Sequence, residues 1–452
     1  MNDPNGLIYK DGWYHLFYQY YPDDIKYGPM HWGHARSKDL LRWEHLPIAL
    51  YPDKNGVIFS GSVVEDRNNT TGYTKNGVAP MVAIFTSHQQ IGNDGKESQS
   101  IAFSFDDGIT FEKYKNNPVL DMNMRDFRDP KVIWHNQSSQ WIMPLAAGRK
   151  VMFYGSKDLT DWVYLSTFET ENNSPAGIWE CPDLHSIQTE DGNFKWVLIV
   201  SVNTPDGSYF GMQYFVGNFD GRDFHAETPN DDIQMLDFGY DNYAAVTFNG
   251  IENRTVLLGW MNCWYYGDQI PASNFRGSMT IPRELMLRKA GNSYRIVQKP
   301  VHELFEVFTP YHHNLGNSEV NLPEGPTLIE LQIPSNKEVI NLTNNENCFT
   351  ITVDCLDKKI TVDRRECGHQ EIGRLFTIPR SGKYFSDSVL KVTILVDVTS
   401  VEIFAMDGEA AGTFQYFIDK PFTKINTENG STDIKVYCYI MSAEQAEKPH
   451  EC

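Results

Sequence analysis

The 452-residue chain has little of what marks a membrane protein, a nucleic-acid binder or a metalloprotein. No apolar run approaches the roughly 18–20 residues that cross a membrane. Basic residues are in the minority, since 39 of them against 59 acidic ones give a formal charge of −20. That charge argues against nucleic acid or an anionic membrane as partner. No Cys-x-x-Cys or His/Cys spacing typical of a metal site is present, so we expect no metal.

The seven cysteines are scattered, and an odd number cannot pair completely. They are Cys181, Cys263, Cys348, Cys355, Cys367, Cys438 and Cys452. Glycosylation sequons begin at Asn69, Asn136, Asn253, Asn341 and Asn429 and favour an extracellular protein. A cytoplasmic location stays open, because no signal peptide precedes Met1.

Helical periodicity is scarce, and short alternating or apolar runs separated by Gly, Asn or Asp turns dominate the chain. Such runs indicate an all-β protein. The clearest ones span residues 13–20, 81–86, 131–134, 141–145, 196–200 and 256–260.

A polar turn that carries an acid and is followed by an aromatic residue recurs in the first 225 residues. The copies occupy residues 37–43, 104–111, 156–162 and 218–224. Their spacing of roughly 50–70 residues is the length of a four-stranded propeller blade with its loops. The turn motif therefore predicts a β-propeller.

A second kind of segment, which we call an opener, precedes each copy, and a fifth opener follows the last one. The openers are residues 3–6, 59–62, 128–130, 180–182 and 241–245. Five openers predict five blades. If each opener begins the innermost strand of its blade, Asp3, Asp129 and Glu180 meet in one funnel. The alternative is five ordinary strand-entry turns.

The pattern loosens after residue 300, and from about residue 317 the chain runs in short strands without openers. We therefore predict a five-bladed β-propeller over residues 1–300, a linker over 301–316 and a C-terminal β-sandwich over 317–452.

Two carboxyl groups that face each other across a glycosidic bond are the minimum machinery for glycoside hydrolysis. Donors at the turn after Asp3 would keep this residue ionised as a nucleophile, and Arg128 would hold Asp129 as an anion. Glu180 lies beside Trp179 and Cys181, so we expect a raised pKa and a general acid. The alternatives are an Asx-turn for Asp3, a salt bridge for Asp129 and a surface acid for Glu180.

The three acid-bearing segments resemble the hallmark motifs of glycoside hydrolase family 32, the β-fructosidases. These motifs are Asn-Asp-Pro-Asn at residues 2–5, Phe-Arg-Asp-Pro at 127–130 and Trp-Glu-Cys-Pro at 179–182. Further segments similar to the family occupy residues 17–20, 28–34, 59–62, 211–217, 281–285 and 400–404. The amino-acid sequence of these segments is most similar to the bacterial-type levanase and exo-inulinase branch of the family.

The resemblance implies a propeller and a sandwich, and retaining removal of terminal β-D-fructosyl units from sucrose, levan or inulin. Asp3 matches the nucleophile, Glu180 the acid/base and Asp129 the transition-state stabiliser. The residues that match the family's fructose pocket are Asn2, Gln19, Tyr27, Phe59, Ser60, Arg128 and Trp264. The resemblance implies no cofactor, and the oligomeric state stays open.

Two features limit what the resemblance predicts. Tyr27 stands where the family usually has Trp, which leaves the aromatic wall a smaller ring and an added hydroxyl. The sequence does not rank sucrose against fructans, a choice that we expect segments 87–97 and 203–210 to influence. The rival functions are a fructosyltransferase, a catalytically silent fructan-binding protein and a related five-bladed arabinosidase.

Overall fold

The computed structural model describes residues 1–91, 94–170, 177–204, 206–227, 233–315, 318–333, 337–387, 389–429 and 433–440. These residues form two compact units. The first comprises Met1–Met235, Tyr243–Trp260 and Arg276–Tyr294. The second comprises Leu236–Asn242, Met261–Phe275 and the chain from Arg295 onward. Cys452 lies outside the described residues, and no disulfide joins the six cysteines within them.

Strands make up nearly all of the regular structure, so the predicted all-β class is confirmed. Across the described ranges, one α-helix occurs, α1 (His302–Glu306), with 3-10 turns at Gln370–Ile372, Arg374–Thr377 and Met406–Gly408. None of the described helices has the length and apolar character needed to traverse a lipid bilayer.

The strands before residue 301 form five antiparallel sheets. The first contains β1 (Pro4–Lys10), β2 (Trp13–Tyr20), β3 (His31–Ser37) and β4 (Trp43–Leu50). The second contains β5 (Val57–Glu65), β6 (Met81–Ile91), β7 (Asp94–Ser104) and β8 (Glu112–Lys113). The third contains β9 (Phe127–Arg128), β10 (Ile133–His135), β11 (Gln140–Ala147), β12 (Lys150–Ser156) and β13 (Val163–Glu169). The fourth contains β14 (Ile178–Gln188), β15 (Phe194–Asn203), β16 (Phe210–Phe219) and β17 (Phe224–Ala226). The fifth contains β18 (Tyr243–Thr247), β19 (Thr255–Met261), β20 (Ser278–Met279), β21 (Arg283–Ala290) and β22 (Ser293–Pro300).

The five sheets contact one another in chain order around a closed ring. Strand β1 contacts β5, and β5 contacts β9 of the third sheet. Strand β11 of the third sheet contacts β14, β14 contacts β18, and β18 contacts β1. Asn249, which follows β18, joins the fifth sheet to the first, because its backbone N–H donates to the Leu7 carbonyl in β1 at 2.9 Å. Its side-chain amide donates to the carbonyls of Val63 at 2.9 Å and Val132 at 3.2 Å. Five sheets in a ring are consistent with the predicted five blades.

The repeated turn motif forms the same hydrogen bonds in the first and third sheets. Asp39 accepts from the backbone N–H groups of the second and third residues after it, as Asp158 does in the third sheet. The indole of the next tryptophan donates to the carbonyl of Leu40 or Leu159, and both leucines have φ of +65°. The motif thus connects β3 to β4 in the first sheet and β12 to β13 in the third.

The second unit contains two six-stranded antiparallel sheets. One has the order β23 (Phe308–Leu315), β34 (Asp433–Tyr439), β25 (Thr327–Ile333), β30 (Leu390–Val396), β31 (Ser400–Ala405) and β32 (Ala410–Gln415). The other has the order β24 (Glu319–Asn321), β33 (Lys424–Thr427), β26 (Lys337–Thr343), β27 (Cys348–Asp354), β28 (Lys359–Glu366) and β29 (Arg380–Lys383). One apolar core draws buried side chains from both sheets, which is the arrangement of a β-sandwich.

The predicted domain limits at residues 300 and 317 remain predictions. In the structure, the segment predicted as a linker holds α1 and β23, and β23 pairs antiparallel with β34 along its length. Residues 316 and 317 lie outside the described residues.

Candidate active site

The openers place their polar side chains at one end of the ring because most inner strands carry a bulge there. Pairing shifts register between Asn5 and Ile8 in β1, between Ile58 and Gly61 in β5, between Glu180 and Asp183 in β14, and between Tyr243 and Val246 in β18. A bulge adds an unpaired residue and re-aims the neighbouring side chains. Several backbones take positive φ at or beside these points, namely Gly6, Asp129, Cys181 and Ala244. For residues other than glycine this conformation carries strain.

Asp3 precedes β1 and has two unlike carboxylate oxygens. Its Oδ2 accepts a hydrogen bond from the Ser60 hydroxyl at 2.7 Å, and the Cys181 thiol lies 3.7 Å from the same oxygen. Its Oδ1 is buried and has no hydrogen-bond partner. A buried polar atom without a partner is costly and rare in folded proteins. One oxygen of Asp3 is thus left without a hydrogen bond inside the protein.

Asp129 follows β9 and is 6% exposed. Its Oδ2 accepts from the backbone N–H of Cys181 at 2.9 Å, and the Cys181 thiol lies 3.6 Å away. Its own backbone N–H donates to the hydroxyl of Thr86 at 2.9 Å. Because one thiol contacts both Asp3 and Asp129, these two carboxylates lie on either side of Cys181.

Glu180 lies in β14 and is held at both oxygens. Arg128 donates to its Oε1 at 3.1 Å, and the buried hydroxyl of Tyr243 donates to its Oε2 at 2.6 Å. The ring of Tyr243 stacks on Phe210 with centroids 4.2 Å apart, which fixes the direction of the hydroxyl. The structure thus brings the three predicted acids and Arg128 together.

The sequence predicted that neighbouring donors keep Asp3 ionised and that Arg128 holds Asp129 as an anion. In the structure the pKa of Asp3 is raised to about 6 and that of Asp129 to about 7. Burial is the largest cause for both. It outweighs the Ser60 hydrogen bond at Asp3 and the Arg128 charge at Asp129, and the charge of Glu180 raises both pKa values further.

Three predicted pocket residues contact or support Asp3, and a fourth, Phe59, stacks on a neighbouring histidine. Ser60 bonds Asp3 directly. The backbone N–H of Gln19 donates to the Asp3 carbonyl at 3.0 Å, and the backbone N–H of Asn2 donates to the Gln19 carbonyl at 3.0 Å. The ring of Phe59 stacks on His88 with centroids 4.3 Å apart.

Tyr27 is 52% exposed as a whole. Desolvation of its hydroxyl raises the pKa of Tyr27, and the charges of Asp3 and Glu180 raise it further. Trp264 belongs to the second unit and is 37% exposed, so its place in the pocket stays a prediction. Among the described residues no cluster of His, Cys, Asp or Glu suits a metal ion.

Sequence reasoning missed three residues that hold the acids. Tyr243 lies in the fifth opener, and this position could have identified it as a residue of the site. Glu97 accepts from Arg128, and Thr86 accepts from the backbone of Asp129. Neither lies in a motif. Segment 87–97, which we expected to influence substrate choice, falls largely in β6 and β7, and its residues 92–93 lie outside the described residues. In segment 203–210, residue 205 lies outside them as well.

A buried ion pair joins the segment after β9 to β14 and β18. The Lys131 ammonium bonds Asp183 at 2.9 Å and the Thr247 carbonyl at 2.6 Å. The backbone N–H and hydroxyl of Thr247 donate to the same carboxylate. Lys131 and Asp183 are at most 4% exposed, so this network belongs to the core below the site.

Comparison with known proteins supports one family over both units. Residues 1–300 match the model of the glycosyl hydrolases family 32 N-terminal domain, and residues 327–439 match that of the family 32 C terminal. The chain belongs to glycosyl hydrolase family 32. The motif resemblance and the predicted enzyme class, a glycoside hydrolase, are confirmed.

Individual members of the family are similar over most of the chain. The levanase of Bacillus subtilis is 42% identical across 90% of this chain, which spans 63% of the levanase's own length. The crystal structure of exo-inulinase from Aspergillus awamori has a TM-score of 0.90 at 33% identity, with 98% of this chain and 96% of that one covered. The β-fructofuranosidase of Schwanniomyces occidentalis, complexed with fructosyl-erythritol, has a TM-score of 0.85 at 30% identity, covering 97% and 94%. These likenesses confirm the propeller-and-sandwich architecture.

Proposed function

We propose that this family 32 enzyme is a retaining exo-β-fructosidase that releases terminal β-D-fructose from sucrose or fructans. The observation that carries the proposal is the set of three carboxylates at one end of the ring, each in a different environment. Asp3 has a free oxygen, Glu180 is held by two donors, and Asp129 is bonded to a backbone amide. Similarity to a levanase, an exo-inulinase and a β-fructofuranosidase supports the same substrate class.

In the first step, Asp3 attacks the anomeric carbon C2 of the terminal fructosyl unit through its unbonded oxygen. The bond from C2 to the leaving oxygen breaks while Glu180 gives its proton to that oxygen. The products are a fructosyl ester on Asp3 and the leaving sugar, which is glucose from sucrose or a fructan one unit shorter. Ser60 donates to the other oxygen of Asp3, so it orients the carboxylate for attack.

In the second step, Glu180 takes a proton from water, and the water oxygen attacks C2. The ester bond to Asp3 breaks, fructose leaves with its configuration retained, and Asp3 returns as a carboxylate. Arg128 and Tyr243 keep Glu180 oriented through both proton transfers.

Asp129 acts on the sugar ring rather than on the breaking bond. Its Oδ2 is occupied by the Cys181 N–H, which fixes the carboxylate and aims the group at a bound sugar. We assign it the role of accepting hydrogen bonds from fructose hydroxyls and stabilising the positive charge that develops on the ring. Asn2, Gln19, Tyr27 and Phe59 complete the proposed pocket.

The decisive experiment is a release assay on sucrose, 1-kestose, inulin and levan, with all products separated. We expect free fructose as the main product and its release one unit at a time from the polymers. Asp3→Asn should abolish release, while Asp220→Asn, a turn carboxylate of the fourth sheet, serves as the matched control. Kestose-type products dominating at high sucrose would establish a transferase instead. No release from any of the four substrates would establish a binding protein.

A further inference from the structure

We propose that His88 and Glu97, which face each other on the hairpin of β6 and β7, are positioning residues for the fructose site. Glu97 holds the guanidinium of Arg128 against Glu180, and His88 holds the ring of Phe59. This inference rests on the proposed function, because both targets are residues of the proposed pocket. It adds two residues from the second sheet, which supplies Phe59 and Ser60 but none of the three acids.

Glu97 forms the base of the arrangement and is 4% exposed. Its two oxygens lie 3.2 and 3.1 Å from Nη1 of Arg128, and its Oε2 also accepts from the backbone N–H of Phe127 at 2.8 Å. Burial raises the pKa of Glu97, but the His88 hydrogen bond, the Arg128 charge and the Phe127 amide together hold it below its ordinary value. Glu97 is therefore a buried anion committed to Arg128.

The three nitrogens of the Arg128 guanidinium lie near different carboxylates. Nη1 is shared by Glu97 and Asp126, Nη2 donates to Glu180 at 3.1 Å, and Nε lies 3.9 Å from Asp129. Because the guanidinium is planar and rigid, bonds at Nη1 restrict where Nη2 and Nε can lie. Glu97 and Asp126 together thus set how far Arg128 reaches toward Glu180 and Asp129, and Glu97 is the buried one of the two.

His88 joins this anchor to the sugar pocket. Its Nδ1 lies 3.2 Å from Oε1 of Glu97, and its ring lies on Phe59 with an interplanar angle of 13°. The Phe59 carbonyl is held from the other side by the indole of Trp32 at 3.0 Å. The ring and the backbone of Phe59 are therefore fixed independently.

The test uses isosteric variants so that packing is kept. Glu97→Gln keeps an acceptor for the Phe127 amide but loses the charge that holds Arg128. We expect kcat on sucrose to fall about 10–100-fold, the cost of misplacing a reacting group by about 1 Å, with KM within about 3-fold of wild type. Glu112→Gln, on β8 of the same sheet, is the control and should leave both constants unchanged.

His88 is tested by a pair of variants that separate its two contacts. His88→Phe keeps a ring against Phe59, so KM should stay within about 2-fold of wild type. His88→Ala removes the stack and should raise KM about 2–10-fold, the value of one aromatic pair. Equal KM values for the two variants would contradict the role assigned to the stack.

A double-mutant cycle separates positioning from general structural support. If Glu97 acts through Arg128, then Glu97→Gln should change kcat by less than about 3-fold when Arg128 is already Lys. A Glu97→Gln variant with wild-type kcat, or one equally damaging in the Arg128→Lys background, would overturn the proposal. Wild type and Asp3→Asn are assayed alongside, so a wild-type protein that releases no fructose reports failure of the proposed function instead.

Discussion

Asp3 in the first unit and Asp241 in the second are both buried carboxylates, but they differ in how their oxygens are bonded. Asp241 accepts from Arg364 at 2.6 Å, from the backbone of Gln415 at 2.9 Å and from the Tyr266 hydroxyl at 2.5 Å. Both of its oxygens are occupied. Asp3 has one oxygen without any partner.

Asp237 and Asp183 extend the comparison. Asp237 accepts from two backbone amides at its Oδ1 and from two side chains at its Oδ2. Asp183 lies only three residues after Glu180, yet its carboxylate is occupied by Lys131 and Thr247. Asp183, Asp237 and Asp241 have both oxygens bonded within the protein and stabilise the fold, whereas Asp3 keeps one oxygen without a hydrogen bond.

The largest effect should come from Asp3→Asn. We expect the rate of fructose release to fall by at least about 10⁴-fold, since the amide cannot form the covalent intermediate. The fold should not weaken. Burial raises the pKa of Asp3 from 3.8 to about 6, so the wild-type fold loses stability as pH rises through that window.

Asparagine does not titrate, so Asp3→Asn should be more stable than wild type at pH 7 and should lose that advantage below about pH 4. Denaturant unfolding of both proteins at the two pH values measures this difference. A variant less stable than wild type at pH 7 would break the distinction between Asp3 and the structural carboxylates.

Asp241→Asn should have the opposite result. Removing the countercharge leaves Arg364 buried and unpaired, which typically costs about 3–5 kcal/mol in the free energy of unfolding. Urea unfolding checks the value. Asp241→Leu combined with Arg364→Met is the control, since replacing both charges by apolar groups should recover most of the loss. An Asp241→Asn variant with the same free energy of unfolding as wild type would show that the Asp241–Arg364 pair does not stabilise the fold.

A smaller loss is expected from Thr413→Val, which removes one of the four donors to Asp237. The hydroxyl bond is 2.7 Å long, and leaving a buried carboxylate oxygen with fewer donors should lower the free energy of unfolding by about 1–3 kcal/mol. The backbone donor of residue 413 is retained, so the loss should stay below that of Asp241→Asn. The same urea series ranks the two variants.

The blades and the convergence of the acids could be predicted because both depend on local, repeated patterns. The openers lie at or near the first strand of each blade, and the turn at Asp39 forms the same hydrogen bonds as the turn at Asp158. Family motifs then identified the three acids. Strand order in a propeller follows chain order, so a local repeat is enough to place them.

Contacts between distant strands could not be predicted in the same way. Glu97 reaches Arg128 across 31 residues, and no motif marks it. The raised pKa of Asp3 depends on how much surrounding protein excludes water, which neighbouring residues do not reveal. Segments 236–242 and 261–275 join the second unit although they lie within the predicted propeller range, because bonds such as Asp241 to Arg364 tie them to the sandwich.

The smallest effect should be a shift in the pH dependence of catalysis. The nucleophile must be ionised, so release should decline as pH falls below about 6, the pKa of Asp3. Ser60 donates to the ionised carboxylate and thereby lowers this pKa. Ser60→Ala removes that donor, so the acidic limb of kcat/KM should move to higher pH by about one unit. Ser138→Ala, outside the site, should leave the limb in place. An unchanged limb in Ser60→Ala would mean that another group sets it, and Asp3 would then lose its assignment as the group that must be ionised for release.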